Sequence, residues 1–340
     1  MQNFNNWLSR LDRRQLRIMR NGIQITLGLI LLVAGYRFYL FVRHFDTLGM
    51  TPFQPRPPIV EAFLPIGALV SFKLWLTTGI YDPIHPAALS IFITVLLTAF
   101  LFRKGFCSWI CPIGTISEGI HRLGALIVPQ WRLPRFLAYP LLSLKYLVLL
   151  VFVKLILIDM PVMALVGFMG SSYNKISDAK MLDFFLDLSP LSVKVLVILF
   201  VLSLFIKNFW CRFLCPYGAL LSIVSLISPV KIRRNTDLCI DCGKCDKACS
   251  YDIKLSDKPA VVSPECTGCL DCVAACPREG SLEVLLASRK KLNPWMFGGM
   301  VVGFFLVAIG VAKLTGHWET VLTLEDYARL LPLRRMTGHP

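Results

Sequence analysis

Long apolar runs constrain this chain more than any other feature of its sequence. They lie at about 23–42, 86–102, 137–158, 190–206 and 295–313. Each is close to the roughly 20 residues that a helix needs to cross a bilayer. Charged residues make up only 17% of the chain, against about a quarter in soluble domains. Because backbone polar groups inside lipid must be satisfied internally, we expect an α-helical integral membrane protein with about five transmembrane helices.

One further apolar stretch is not predicted to be a transmembrane helix. Residues 59–80, "IVEAFLPIGALVSFKLWLTTGI", contain Glu61, Pro65 and Lys73. Charges and a proline inside so short a run are costly in a bilayer, so we interpret this stretch as an interfacial or re-entrant segment.

The positive charges predict how the chain is oriented. The net charge is +15, but Lys and Arg flank the apolar runs instead of forming one basic stripe, which argues against a nucleic-acid partner. The segments 1–22, 103–136 and 207–294 are basic, whereas 159–189 carries four Asp against two Lys. The positive-inside rule then predicts a multi-pass protein of the bacterial inner membrane, with its N-terminus cytoplasmic and its C-terminus periplasmic.

All twelve cysteines fall in short-spaced clusters, which favours metal ligation over disulfides. Cys-x2-Cys-x2-Cys-x3-Cys occurs at 239–249 and again at 266–276, a spacing typical of bacterial two-[4Fe–4S] ferredoxins in which the fourth cysteine serves the other cluster. A zinc ribbon would show separated Cys pairs instead. Cluster 1 is predicted to bind Cys239, Cys242, Cys245 and Cys276, and cluster 2 to bind Cys249, Cys266, Cys269 and Cys272. Ser250 replaces the usual proline but removes no ligand.

A second cysteine motif occurs twice. "FCSWICPIG" at 106–114 and "WCRFLCPYG" at 210–218 each follow an apolar run. The proline predicts a helix end, a turn and the start of a new helix. This repetition predicts two parallel repeats, whose symmetry would bring the cysteine pairs together. A third metal or iron–sulfur centre is expected on Cys107, Cys111, Cys211 and Cys215; palmitoylation or packing are the alternatives.

These features define a domain organisation. We predict a basic cytoplasmic arm, a membrane core with both Cys-x-x-x-Cys-Pro motifs, an α+β ferredoxin-like insertion in the cytoplasm, a final transmembrane helix and a periplasmic tail. Their predicted limits are 1–22, 23–230, 231–290, 291–313 and 314–340. In the tail, apolar residues at helical spacing in "LTLEDYARLLPLRR" predict a short helix.

The combination of motifs resembles the membrane-bound iron–sulfur family that includes NapH, MauN and NosR. "VEAFLPIGAL" at 60–69 and "YDPIHPAALSIF" at 81–92 also look like the membrane core of NosR. The resemblance covers about 20–313 and implies electron transfer with the quinone pool, as the membrane component of a quinol dehydrogenase. Since about twenty residues precede the first predicted span and the predicted tail is 314–340, we expect neither the flavin domain of NosR nor the periplasmic domain of the FixG/CcoG type. A NapH-like subunit is therefore expected, with a reductase, flavin or cytochrome partner on another chain.

Several ionisable residues are candidates for quinone and proton chemistry. Lys145 lies inside a predicted span, where charges are functional candidates; it would stabilise an anionic quinone or offset thiolate charge, unless it snorkels to the interface. Glu61, Asp82 and His85 are candidate proton acceptors on the outer side, although "DPIHP" also suits a helix-start turn. Glu118 and His121 are inner-side candidates beside Cys111.

Two main function classes follow from these patterns. The first is an electron-transfer subunit working in either direction between quinone and the ferredoxin clusters. The second is an assembly or metal-handling factor, for example one that reduces copper for a respiratory enzyme. A redox sensor is weaker because the sequence shows no DNA-binding or kinase segment, and the absence of a Gly-x-Gly-x-x-Gly fingerprint argues against direct use of nicotinamide.

Overall fold

The structure is a computed structural model that describes residues 13–287 and 290–336, so most of the predicted basic arm lies outside the described residues. The helices are α1 (Arg13–Asp46), α2 (Pro65–Thr78), α3 (Pro86–Phe102), α4 (Gly105–Trp109), α5 (Pro112–Ile127), α6 (Arg135–Phe152), α7 (Val162–Gly170), α8 (Ser172–Lys175), α9 (Ser177–Leu186), α10 (Pro190–Phe205), α11 (Pro216–Ser225), α12 (Lys244–Ala248), α13 (Asp271–Ala275), α14 (Pro294–Leu314) and α15 (Leu324–Leu330). The strands are β1 (Val230–Arg234), β2 (Leu282–Leu286) and β3 (Lys290–Leu292). A 3₁₀-helix covers Pro58–Phe63, and π-helices cover Val153–Asp159 and Trp210–Leu214.

The described residues contain three helices long and apolar enough to cross a membrane: Gln15–Asp46, Phe136–Asp159 and Pro294–Leu314. A fourth span is possible if α9 and α10, which meet at a 75° bend, count as one. The predicted run at 86–102 is helix α3, whose 17 residues make it shorter than these spans. The ambiguous stretch at 59–80 becomes the 3₁₀-helix and the 14-residue α2. The protein is therefore mostly helical, with three to four candidate spans.

The chain divides into two compact units. The first contains the described residues up to Gly28, Val95–Leu149 and Leu196–Phe305. The second contains Leu29–Thr94, Leu150–Val195 and the described residues from Leu306 onward. The boundary falls within α1, α3, α6, α10 and α14, which are the helices that hold the predicted apolar runs.

The ferredoxin-like part of the first unit is a small antiparallel sheet in the order β1-β2-β3, together with the one-turn helices α12 and α13. Ile232 pairs with Val284, and both are buried on one face of the sheet. Gly243 and Gly268 both have φ of +64°, a conformation that glycine adopts without steric cost. The cysteine loops therefore turn tightly at these two glycines.

Membrane helices pack tightly against the helices that follow the Cys-Pro turns. A Cβ added to Gly124 of α5 would lie 2.2 Å from the carbonyl oxygen of Leu204 in α10. Only a glycine permits this backbone approach. Gly119, also on α5, has no neighbouring heavy atom within 4 Å of the same position.

In the second unit, the predicted tail helix is confirmed as α15. Thr323 caps it, and Asp326 completes a capping box by accepting from the Thr323 backbone N–H. Tyr327 packs edge-on against Phe41 of α1 with ring centroids 5.1 Å apart. Arg334 then binds Asp183 of α9 through its Nε at 2.7 Å, so the described part of the tail is anchored by both apolar and ionic contacts.

We predict opposite effects of alanine at two glycines of α5. Gly124→Ala forces a methyl group onto backbone and should lower the free energy of unfolding by about 1–3 kcal/mol, as overpacking does. Gly119→Ala should raise it by up to about 1 kcal/mol because alanine favours the helix. Thermal unfolding in detergent, followed by circular dichroism, measures both. Equal effects of the two substitutions would contradict the close packing at Gly124.

Candidate iron–sulfur centres

Four of the ferredoxin cysteines surround one cavity. The cavity has a volume of about 390 Å³, and the cysteines that line it are Cys239, Cys242, Cys245 and Cys276. They are the set predicted for cluster 1, in which Cys276 comes from the other sequence run. Cys242 is exposed, so this cavity, called the outer cavity below, lies near solvent.

The other four ferredoxin cysteines surround a second cavity of about 350 Å³, called the inner cavity below. They are Cys249, Cys266, Cys269 and Cys272, the set predicted for cluster 2. Cys266 and Cys272 are buried, and the wall includes apolar residues such as Ile232 and Leu270. Its cysteines are therefore more buried than those of the outer cavity.

The crossing of the two quartets has a local cause. Cys249 ends α12 and Cys276 ends α13, and both have extended backbone angles. Each one-turn helix therefore carries its last cysteine away from its own loop and towards the other cavity. Ligation of clusters by these quartets remains a prediction, which their placement supports.

The donor sets fit clusters better than single ions. Among residues 13–287 and 290–336, no group of three or more His, Cys, Asp or Glu side chains converges closely enough to hold one metal ion. Burial raises the pKa of Cys249 to about 11, so its thiol stays protonated near neutral pH until a metal displaces the proton. Four thiols around one cavity suit a four-iron cluster, because each cysteine sulfur would bind one of the four irons.

The Cys-x-x-x-Cys-Pro motifs form the predicted helix–turn–helix arrangement. Pro112 and Pro216 begin α5 and α11. Cys111 and Cys215 precede them with extended backbone angles. The Gly218 N–H lies 3.3 Å from Cys215 Sγ, so backbone dipoles at the start of α11 are directed at that sulfur.

The structure brings the two cysteine pairs of these motifs together. Burial raises the pKa of Cys211 well above its usual range, and Cys111, Cys215 and Cys107 raise it further. Burial likewise raises the pKa of Cys111, to about 11. Since each thiol is close enough to affect the others, the four form one group, called the four-thiol group below. Its role as a third centre is a prediction.

Lys145 is buried and paired, so the snorkelling interpretation is wrong. Its side chain is fully inaccessible, and its Nζ lies 2.6 Å from Glu265 Oε2. Lys104 Nζ approaches the same oxygen at 3.3 Å, and the Tyr146 hydroxyl donates to Glu265 Oε1 at 3.1 Å. Sequence reasoning missed Lys104 and Glu265, although Glu265 directly precedes the predicted ligand Cys266.

Tyr251 is a second residue that the sequence did not single out. It is buried and lines the inner cavity. Burial raises its pKa well above the usual range, and the thiols of Cys211, Cys107 and Cys269 add to the increase. Tyr251 therefore lines the inner cavity, and thiols of the four-thiol group also affect its pKa.

Glu118 and His121 differ in their ionic partners and in the direction in which their pKa values shift. Glu118 binds Arg20 of α1 and Arg122, the latter at 2.6 Å. Burial alone would raise the pKa of Glu118, but the two guanidinium groups outweigh burial and lower it. Glu118 is thus a stable carboxylate and a poor proton acceptor. His121 is half-buried, and burial followed by the charge of Lys207 lowers its pKa, which leaves it neutral.

In the second unit, Glu61 and His85 come together in a buried ionic cluster. Glu61 Oε1 is 3.4 Å from His85 Nδ1 and 2.7 Å from Arg56. Arg56 also binds Asp178, at 2.7 Å. Burial alone would lower the pKa of His85, but Glu61 outweighs burial and raises it. Arg56 and Asp178 were not identified from the sequence.

Asp82 has a structural role instead. Its Oδ1 accepts from the backbone N–H groups of Ile84 at 2.8 Å and His85 at 3.0 Å, while Ser71 donates to its Oδ2. These contacts are those of the helix-start turn that the "DPIHP" sequence suggested.

Family models match both kinds of cysteine site. A model described as "4Fe-4S binding domain" matches 84–134 and 188–235, each of which contains one Cys-x-x-x-Cys-Pro motif. A model described as "4Fe-4S dicluster domain" matches 231–277, which contains both ferredoxin quartets.

Several curated proteins are similar to this chain. YccM of Escherichia coli, whose name assigns it to electron transport, is 40% identical over 335 residues, which cover 96% of this chain and 94% of YccM. The regulatory protein NosR of Pseudomonas aeruginosa is 30% identical over 56% of this chain and 26% of NosR. The ferredoxin-type protein NapH of Haemophilus influenzae is 27% identical over 54% of this chain and 63% of NapH. No solved structure matches.

Single-cysteine variants test the crossed quartets. Cys276→Ser and Cys239→Ser should alter the same paramagnetic resonance signal, because both residues line the outer cavity. Cys249→Ser should alter the other signal, because Cys249 lines the inner cavity. Spectra of the reduced, anaerobically purified variants distinguish the two groups. Grouping by sequence run, with Cys249 and Cys239 affecting one signal, would contradict the crossed assignment.

Proposed function

Because this chain belongs to the NapH/MauN/NosR-type family of membrane-bound 4Fe-4S ferredoxin-like proteins, we propose that it transfers electrons between the quinone pool and a redox partner protein. It acts as a NapH-like membrane subunit of a quinol dehydrogenase, with its reductase, flavin or cytochrome partner on another chain. When bound, [4Fe–4S] clusters supply one-electron storage at potentials set by charge, hydrogen bonding and exposure.

The observation that carries this proposal is the series of cysteine groups in the first unit. Tyr251 is close to both the four-thiol group and Cys269 of the inner cavity. The outer cavity follows within the same small domain and reaches solvent at Cys242. This series supports a path from the membrane helices through a third centre and cluster 2 to cluster 1, where a partner protein has access.

The ligand sets that we propose are those predicted from the sequence. The outer cavity holds cluster 1, the inner cavity holds cluster 2, and the four-thiol group holds a third metal or iron–sulfur centre. The match of one 4Fe-4S family model to both Cys-x-x-x-Cys-Pro segments supports this third centre and the internal repeat.

The proposed topology has five spans in the inner membrane, formed by α1, α3, α6, α10 and α14. The N-terminus and the ferredoxin domain at 231–290 are cytoplasmic, and the tail from 314 is periplasmic. Exposed apolar residues along these helices support contact with lipid: Leu32 is 71% and Val307 65% accessible. The basic segments before and after the spans support the orientation.

The quinone-side chemistry is proposed for Glu61 and His85. Oxidation of a quinol releases protons as well as electrons, so the site needs a proton acceptor. Glu61 pairs with Arg56 as Glu118 pairs with Arg20 and Arg122, but only Glu61 also lies beside an imidazole. Glu61 and His85 therefore form a carboxylate–imidazole pair that can share a proton. Arg56 and Asp178 hold this pair in position.

Iron analysis tests the proposed function. Anaerobically purified wild type should contain more iron and sulfide than two cubane clusters require. Replacing Cys107, Cys111, Cys211 and Cys215 with Ser should remove only the excess and abolish reduction of the remaining clusters by a quinol analogue. Replacing Cys239, Cys242, Cys245 and Cys276 is the matched control, because it should remove one cubane and leave the third centre reducible. Equal iron in wild type and the first variant would contradict the proposed path.

A second experiment tests the proton site. The double substitution Glu61→Gln and His85→Gln should reduce quinol-driven cluster reduction at least about a hundredfold, the lower end of the range for general base catalysis. Reduction by dithionite, which bypasses the quinone, should be unchanged and thus controls for folding. Unchanged quinol-driven reduction would exclude an outer quinone site at these residues.

A further inference from the structure

Two buried lysines share a single carboxylate in the first unit. Lys104 and Lys145 are 1% and 0% exposed, and both approach Glu265 Oε2, at 3.3 Å and 2.6 Å. Among the described residues, Glu265 is the only carboxylate within ion-pair distance of either ammonium group. The cluster therefore carries one positive charge more than its own carboxylate neutralises.

A surplus buried charge is costly unless another group of opposite charge lies nearby. The thiolates that the four-thiol group would form on binding a centre meet this requirement. Burial raises the pKa of Cys107 and Cys215, and the charges of both lysines oppose the increase at each thiol.

Backbone and side-chain contacts connect Lys104 to the Cys-Pro turns, and Lys145 shares the carboxylate oxygen of Glu265 with Lys104. The N–H of Cys107 donates to the carbonyl of Lys104 at 3.0 Å. Lys104 Nζ donates to Ser222 at 2.8 Å, and Ser222 lies on α11, the helix that Cys215 precedes. Lys104 is thus joined to both Cys-Pro turns, one through the chain and the other through Ser222.

We propose that Lys104 and Lys145 form a cationic site that raises the reduction potential of the centre held by Cys107, Cys111, Cys211 and Cys215, and that Glu265 limits this effect. The inference rests on the proposed function, because it requires a third centre. It assigns to the lysines an electrostatic role, as positioning and charge-compensating residues that do not touch quinone.

Substitution of the lysine and substitution of the glutamate should shift the reduction potential of the third centre in opposite directions. Reduction adds an electron to a centre already surrounded by thiolates, so a neighbouring ammonium favours the reduced form and a neighbouring carboxylate disfavours it. Lys145→Met should lower the potential, whereas Glu265→Gln should raise it. A role limited to packing would not produce opposite signs.

A redox titration of the purified protein, followed by the paramagnetic signal of the third centre, measures this effect. For Lys145→Met we expect the equilibrium constant for one-electron reduction to fall about tenfold, which is about 59 mV. Glu265→Gln should shift it in the opposite direction. Lys154→Met is the matched control, because Lys154 is 64% exposed and pairs with Asp159. In this variant the reduction potential of the third centre should equal that of wild type.

The outcomes separate this inference from the proposed function. A third signal whose potential is unchanged in Lys145→Met and Glu265→Gln, or shifts in the same direction in both, overturns the inference alone. Wild type without a third signal or excess iron overturns the third centre and the inference with it. If Lys145→Met does not accumulate, Lys104→Met and Glu265→Gln decide the question by the same opposite signs.

Discussion

Buried ion pairs attach the cysteine loop of the inner cavity to the membrane helices, and the arrangement of the first unit depends on them. The loop from Glu265 to Cys272 carries three of the four cysteines of that cavity. Glu265 binds Lys145 of α6, and Asp271 binds Arg20 of α1 at 3.1 Å. Breaking a buried pair leaves an uncompensated charge, which is strongly destabilising, so the loop is held where these cations lie.

Neutral contacts reinforce the same attachment. Trp109, which is completely buried, donates from its indole N–H to the carbonyl of Gly268 at 3.1 Å. Ser108 donates to the carbonyl of Thr267 at 2.8 Å. Both residues lie between Cys107 and Cys111, so the first Cys-x-x-x-Cys-Pro turn binds the ferredoxin loop directly. The same turn thus contributes thiols and fixes the distance to the next group of thiols.

The polar and apolar faces of α5 show how the lipid environment changes the usual rule of burial. Leu126 is 84% and Ile116 57% accessible, whereas Ser117 and Glu118 are buried. Exposure of these apolar side chains would be unfavourable in water. In contact with lipid, the apolar face of α5 points outward, and the polar face binds Arg20 and Arg122.

The sequence by itself determined the elements and the ligand types. Apolar runs predicted the helices, Pro112 and Pro216 predicted the turns, and the cysteine spacing predicted two crossed quartets that the structure places around two cavities. These features depend on local backbone geometry, which a few neighbouring residues specify. The tertiary structure alone decided which charges meet. Lys145 pairs with Glu265, 120 residues away in sequence. Glu61 meets Asp178 through Arg56, and Lys104 Nζ lies 5.4 Å from the ring centroid of Tyr251. Such contacts join distant segments and leave no periodic signal, because only packing determines which buried charge lies beside which partner.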